Sequence, residues 1–169
     1  MDAAISKSRP RKAAQKHKPR DHNHNNILCS RSMALLENRA LAEGLMPCRP
    51  AADIRGWDMV LEYNGKFHRA QVRACGYKKD KPKRDTPPKS LTFSILRTKQ
   101  KKRPNESAHE TARRHFRESE IDVFIFIHVD CEMFYITPIH KMDLNRTKFT
   151  VYANGRWHDA WHVLKDEED

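Results

Sequence analysis

A chain of 169 residues with a formal net charge of +11 and 38% hydrophobic residues is long enough for one domain with a proper core. Its mean hydropathy of −0.89 suggests that part of it stays unfolded. No apolar run approaches the roughly 20 residues that span a bilayer, and no apolar stretch follows the basic start to make a secretory signal. An intracellular protein is expected.

The positive charge is concentrated. Residues 1–20 hold seven Lys or Arg against Asp2 alone, and residues 78–103 hold eleven against Asp80 and Asp85. The rest of the chain is net acidic. Two basic, loop-like segments suit counterion-releasing contacts with phosphates; solvated tails that aid solubility are the plainer reading. An acidic protein partner or anionic lipid is less favoured. Cys29, Cys48, Cys75 and Cys131 form no C-x-x-C pair and no zinc-spaced group, so reduced thiols are expected, several of them buried.

Taken in order, residues 1–28 are Lys, Arg, Pro, His and Asn with hardly a large apolar side chain. Such a segment cannot offset its ordering entropy and should be a disordered basic tail. His22 and His24 within it are weak metal candidates. Ser30 or Ser32 can cap a helix that carries Met33, Leu35, Leu36, Ala40 and Leu41, with Gly44 as its left-handed stop and Pro47 beyond. Glu37 and Glu43 lie on it, as solvent-facing glutamates on the plainest reading. A turn around Cys48 and Pro50 follows, and then Asp53, whose side chain suits turn capping but which also competes for a metal role.

The stretch from Asp58 to Arg73 organises the chain. Asn64-Gly65 between two alternating runs signals a hairpin closed by a type I′ turn. A two-residue turn makes Tyr63 face Lys66, so Met59 meets Ala70 and Asp58 meets Gln71. Arg73, two residues on, returns to the face of Gln71. A carboxylate, an amide and a guanidinium therefore cluster on one sheet face. A carboxylate beside an amide oxygen suits a hard cation such as Mg²⁺, and a fixed positive charge beside it suits phosphodiester hydrolysis. The alternative is an ordinary wet face on which Asp58, Glu62, Arg69 and Arg73 make cross-strand pairs.

Residues 76–90 read as a basic loop. Residues 91–96 read as a strand, third in an antiparallel meander. Asn105 can cap a surface helix over 106–120, supported by Glu110 and Arg114 at i, i+4. Residues 121–127 make the most hydrophobic run and should be a central strand buried on both faces. Residues 134–136 pair with it after a turn at 130–132. Residues 148–152 form a last strand, Asn154-Gly155 a turn, 156–164 a terminal helix, and 165–169 an acidic tail. His158 and His162 are four apart on that helix, where packing beside Trp157 and Trp161 competes with metal binding. No Gly-rich phosphate loop, nucleophile elbow or H-E-x-x-H motif is present.

The Asp58 to Arg73 stretch, an Asp and then a tight turn and Gln-x-basic, resembles the PD-(D/E)XK nuclease superfamily. With Arg55-Gly56-Trp57-Asp58 before it and the Tyr-Ile-x-Pro-Ile phrase ending at Ile139, it is most similar to the branch associated with group I intron endonucleases. The resemblance runs loosely over residues 32–164. It implies an α/β fold, a restriction-endonuclease-like mixed β-sheet flanked by helices, and it implies DNA cleavage with Mg²⁺ or Mn²⁺. On it, Asp58 and Gln71 hold the metal, Arg73 stabilises charge at the scissile phosphate, and Glu37 is the acidic side chain from the first helix. The chain departs from the family at Arg73, where Lys is usual. A guanidinium stays protonated and cannot act as a base.

The function expected is thus a metal-dependent DNA endonuclease whose backbone contacts come from Lys78, Lys79, Lys81, Lys83, Arg84, Lys99, Lys101, Lys102 and Arg103, acting alone or as a homodimer or homo-oligomer. A nucleic-acid-binding protein with a degenerate site, or an adaptor for an acidic protein, are the alternatives.

Overall fold

The computed structural model describes residues 22–51, 56–77, 87–100 and 111–165, without side-chain detail for 22–24, 97–100 and 111–114. Among the described residues one α-helix, α1 (His22–Ala42), precedes nine strands: β1 (Met46–Cys48), β2 (Met59–Tyr63), β3 (Lys66–Cys75), β4 (Ser90–Ser94), β5 (Leu96–Gln100), β6 (Thr111–His115), β7 (Val123–His128), β8 (Met133–Pro138) and β9 (Lys148–Tyr152). The main sheet runs β1-β2-β3-β7-β8. It is mixed, since β3 and β7 are parallel and the other pairs antiparallel. The pairs β4-β9 and β5-β6 are separate two-stranded sheets. This is the expected α/β architecture.

All six residues of β7 are buried, as anticipated for a central strand. Alternation divides them between two cores. Val123, Ile125 and Ile127 join Ala70 and Val72 of β3 against Met33, Leu36 and Ala40 of α1. Phe124 and Phe126 point the other way, into a cluster with Phe93 of β4, Val151 of β9 and Phe116. On α1 the spacing Met33, Leu36, Ala40 lays one stripe on the sheet. The helix ends as expected at Gly44, with φ of 79°.

Several expectations need correction. The helix begins at His22, inside the segment expected to be a disordered tail over 1–28; residues 1–21 lie outside those described. Ser30 and Ser32 fall within it, and the Ser32 hydroxyl bonds the Cys29 carbonyl at 2.8 Å instead of capping. The strand expected at 91–96 is β4, but it pairs with β9, because β7 occupies the edge of β3 that a meander would have used. No helix forms over 111–120, where β6 pairs with β5 instead. An i, i+4 ion pair adds only about 0.3–0.5 kcal/mol, too little to hold a nearly apolar-free helix without a packed face. The terminal helix is reduced to a 3₁₀ turn at Trp161–Leu164. No cysteine is fully buried: Cys29 and Cys48 are exposed, Cys75 and Cys131 half-buried. Of the acidic tail only Lys165 is described, and its ammonium meets Glu43 at 3.1 Å.

The β2-β3 hairpin has the anticipated register, from Tyr63↔Lys66 to Met59↔Ala70. Both turn residues have positive φ, 49° at Asn64 and 82° at Gly65, as a type I′ turn requires. Replacing Gly65 with Ala should cost about 1–2 kcal/mol, the strain of an L side chain in the left-handed region. The expected readout is a melting temperature lowered by a few degrees.

Candidate active site

Strand β2 begins at Met59, and the backbone N–H of Asp58 still reaches the Ala70 carbonyl at 2.9 Å. Beyond that point β2 is too short to serve β3, and the Asp58 side chain takes its place. Its Oδ2 accepts from the Val72 N–H at 2.9 Å and from Gln71 Nε2 in a short hydrogen bond. Asp58 and Gln71 are therefore direct neighbours, as the hairpin register implied. Gln71 is 5% exposed, so its amide is held against the carboxylate with little contact with water.

Arg73 lies on the same face as Gln71, and its fork is directed elsewhere than the Asp58 carboxylate. Nη1 donates to the Val72 carbonyl at 3.0 Å, Nε to Ser94 O at 3.2 Å and Nη2 to Leu96 O at 3.3 Å. The guanidinium carbon stands 5.5 Å from the Phe116 ring centroid. Burial pushes its pKa down and the Asp58 charge pushes it up, with a net lowering. At least three of its five N–H donors are thus engaged with backbone.

Glu37 does not join this group from the same side. Helix α1 packs on the Val72 face of the sheet, opposite Gln71 and Arg73, and Arg49 grips Glu37 with a second bond from Nη2 at 2.8 Å besides the short one from Nε. The pair ties α1 to the segment after β1. Asp53, Lys78, Lys79, Lys81, Lys83, Arg84, Lys101, Lys102 and Arg103 lie outside the described residues; Lys99 is in β5. Among the described residues no three His, Cys, Asp or Glu converge as a metal cluster. His158 makes a bridge to Tyr135 in place of helical structure, so the i, i+4 geometry with His162 does not exist. A cleft of about 500 Å³ opens at the hairpin end, beside Lys66, His68, Asp122, Lys141, Arg156 and Trp157; Asp58, Gln71 and Arg73 do not line it.

A model of the PD-(D/E)XK endonuclease family matches residues 31–161. The chain belongs to this family. Among solved structures it is similar to a bacterial homing endonuclease, I-Ssp6803I, with a TM-score of 0.56 and 18% identity over 82% of this chain and 88% of that one. At that identity the likeness concerns the fold. No curated protein matches the chain. Among the described residues no helix is long and apolar enough to cross a membrane.

A second ion pair, not singled out in the sequence, braces the sheet of this PD-(D/E)XK chain. Arg69 Nε and Nη2 bond the two oxygens of Asp122 at 2.9 and 2.6 Å, and the Arg69 N–H adds a third bond at 2.7 Å. Its partners are 53 residues apart, so no local pattern could show it. Burial pushes the Asp122 carboxyl up, but the Arg69 bonds outweigh this and leave it below the usual carboxylate range. A lowered folded-state pKa stabilises above the unfolded value near 3.9 and is lost as pH falls through the folded one. Asp122→Asn should therefore destabilise the protein by up to about 1 kcal/mol at pH 7, as for a half-exposed pair. The gap to wild type in urea unfolding should narrow below about pH 4.

Arg73 gives a sharper expectation. Arg73→Ala removes a charged donor from three backbone carbonyls and should cost about 2–3 kcal/mol. Arg73→Lys should recover only part of this, because an ammonium lacks the planar fork that reaches separate acceptors. Thermal melts of both variants decide it.

Proposed function

We propose that this PD-(D/E)XK chain is a metal-dependent DNA endonuclease, with Asp58 and Gln71 at its centre. One observation carries the reading: in a chain of this family, the Asp58 carboxylate and the Gln71 amide are in contact at the edge of β3. The donor set suits a hard divalent cation. Mg²⁺ takes oxygen ligands and keeps several waters, so one carboxylate oxygen and one amide oxygen suffice from the protein. The Gln71 amide, which here donates, would turn to present Oε1; amide O and N are interchanged by a simple flip. Mg²⁺ or Mn²⁺ held by these two residues would supply Lewis-acid stabilisation of charge at the scissile phosphate.

The chain's own residues divide the remaining work. The Val72 N–H fixes the orientation of the Asp58 carboxylate. Arg73 stays charged and cannot take a proton from water. It adds positive charge on the Gln71 face while its N–H groups anchor the neighbouring chain. Glu37, committed to Arg49, serves the packing of α1. A degenerate, binding-only site is the second reading, favoured by the engagement of Arg73 with backbone carbonyls.

Nicking of supercoiled plasmid tests the choice. Wild-type protein should nick in Mg²⁺ or Mn²⁺ and stop when EDTA is added. Asp58→Asn should lose at least 100-fold in rate yet keep its fold, since an amide oxygen still accepts from Val72. Asp58→Ala should also lose about 1–3 kcal/mol of stability, because it leaves that N–H unpaired. DNA binding by wild type without cleavage in either metal would select the degenerate reading.

A further inference from the structure

Strand β3 begins at Lys66, but β7 joins it only from Ala70↔Val123 onward. Asp122 closes that ladder. Its carboxylate accepts from the Arg69 N–H at 2.7 Å, and its own N–H reaches the Arg69 carbonyl at 2.9 Å. Peptide groups alternate in direction along a strand, so the next pair pointing to the β7 side belongs to Phe67. The hairpin agrees: Tyr63↔Lys66 closes the two-residue turn, which leaves Glu62↔Phe67 a pair without hydrogen bonds across to β2. Among the described residues no backbone group meets Phe67 from the β7 side.

The outer edges of the sheet are better protected. The far edge of β8 is covered, since Ile136 donates to the Trp157 carbonyl and Asp159 to that of Phe134, both at 2.9 Å. Strand β1, at the opposite edge, is three residues long and carries Pro47, two features that discourage pairing. At Phe67 neither device is present. Its ring is 65% exposed, and the cleft of about 500 Å³ described above opens beside it, with Val123 and Pro138 on its other wall.

This cleft is cationic. Lys66, Lys141 and Arg156 line it, all exposed. None of the three has an ion pair among the described residues, although the Arg156 guanidinium lies 4.1 Å from the centroid of the Trp157 ring. Of the two carboxylates there, Glu118 and Asp122, the second is held by Arg69.

We propose that the cleft docks an extended acidic peptide of a partner protein, laid as a short strand on the Phe67 edge of β3. Main-chain bonds to an open sheet edge supply affinity in such docking, and pockets for alternate side chains supply specificity. The peptide's carboxylates would meet Lys66, Lys141 and Arg156. A nucleic-acid backbone fits less well, because phosphates offer no donor to the Phe67 carbonyl and would lie beside Glu118. Phe67 is four residues from Gln71 along β3, roughly 13 Å, so the peptide would bind near the candidate site without filling it. The inference is independent of the nuclease reading.

The test uses the full chain and a labelled, end-capped hexapeptide of alternating Glu and Val. Binding is followed by fluorescence anisotropy and by amide hydrogen exchange. In the free chain the Phe67 N–H should exchange as an unprotected amide while that of Arg69 is slowed. The peptide should bind and slow Phe67 at least roughly tenfold. A Lys/Val peptide, and the Glu/Val peptide with methylated backbone nitrogens, should not bind. Lys141→Glu with Arg156→Glu should weaken binding roughly tenfold, about 1.4 kcal/mol, and leave the melting temperature unchanged. A protected Phe67 in the free chain, no binding of the Glu/Val peptide, or equal binding of its methylated form overturns the proposal. So does a short DNA duplex that displaces the peptide and loses affinity in the double variant, which would assign the cleft to nucleic acid. Binding that appears only after deletion of Asp166-Glu167-Glu168-Asp169 overturns the partner in favour of the chain's own end.

Discussion

Strand β7 brings six consecutive buried side chains into the sheet, so both faces must be covered wherever it runs. Its apolar side chains, each worth roughly 1.5–3 kcal/mol when fully buried, leave it nowhere to lie but between two other strands. That demand draws α1 onto one face and the β4-β9 pair with Phe116 onto the other. β7 lies parallel beside β3 and antiparallel beside β8. The candidate site sits on the β3 strand that β7 holds, and so inherits its rigidity from the best-packed part of the molecule.

Along β3 the alternation of side chains separates structure from chemistry. Ala70 and Val72 face the helix and fill the first core. Gln71 and Arg73 face the other way, in register with Phe124 and Phe126. A polar pair on an aromatic face is costly unless each group finds partners. Gln71 finds Asp58, and Arg73 finds three carbonyls and the Phe116 ring. The same bonds that make these groups tolerable inside also fix their positions, which is what a catalytic constellation needs.

That residue 73 is an arginine takes on a physical meaning here. A lysine ammonium is a compact charge, whereas the guanidinium fork spans separate acceptors. In this chain two of the three acceptors, the Ser94 and Leu96 carbonyls, belong to the segment that leads into the β5-β6 ribbon, so the basic residue joins the sheet to an appendage. Glu37 has likewise been drawn into architecture, through Arg49, on the opposite side of the sheet.

The hairpin was legible because its information is local. Asn64-Gly65 dictates the turn, the turn dictates the register, and the register brings Asp58 to Gln71 and places Arg73 on the face of Gln71. The burial of β7 was legible for a similar reason, since a run of large apolar residues has no other stable place. Three decisions were made only by the tertiary structure. The parallel pairing of β3 with β7 and the Arg69–Asp122 pair join residues some 50 positions apart, with no local signal. The direction of the Arg73 fork depended on where the carbonyls of Ser94 and Leu96 came to lie. Residues 111–115 became a strand because β5 offered them a ladder of hydrogen bonds, where an isolated charged helix had no face to bury.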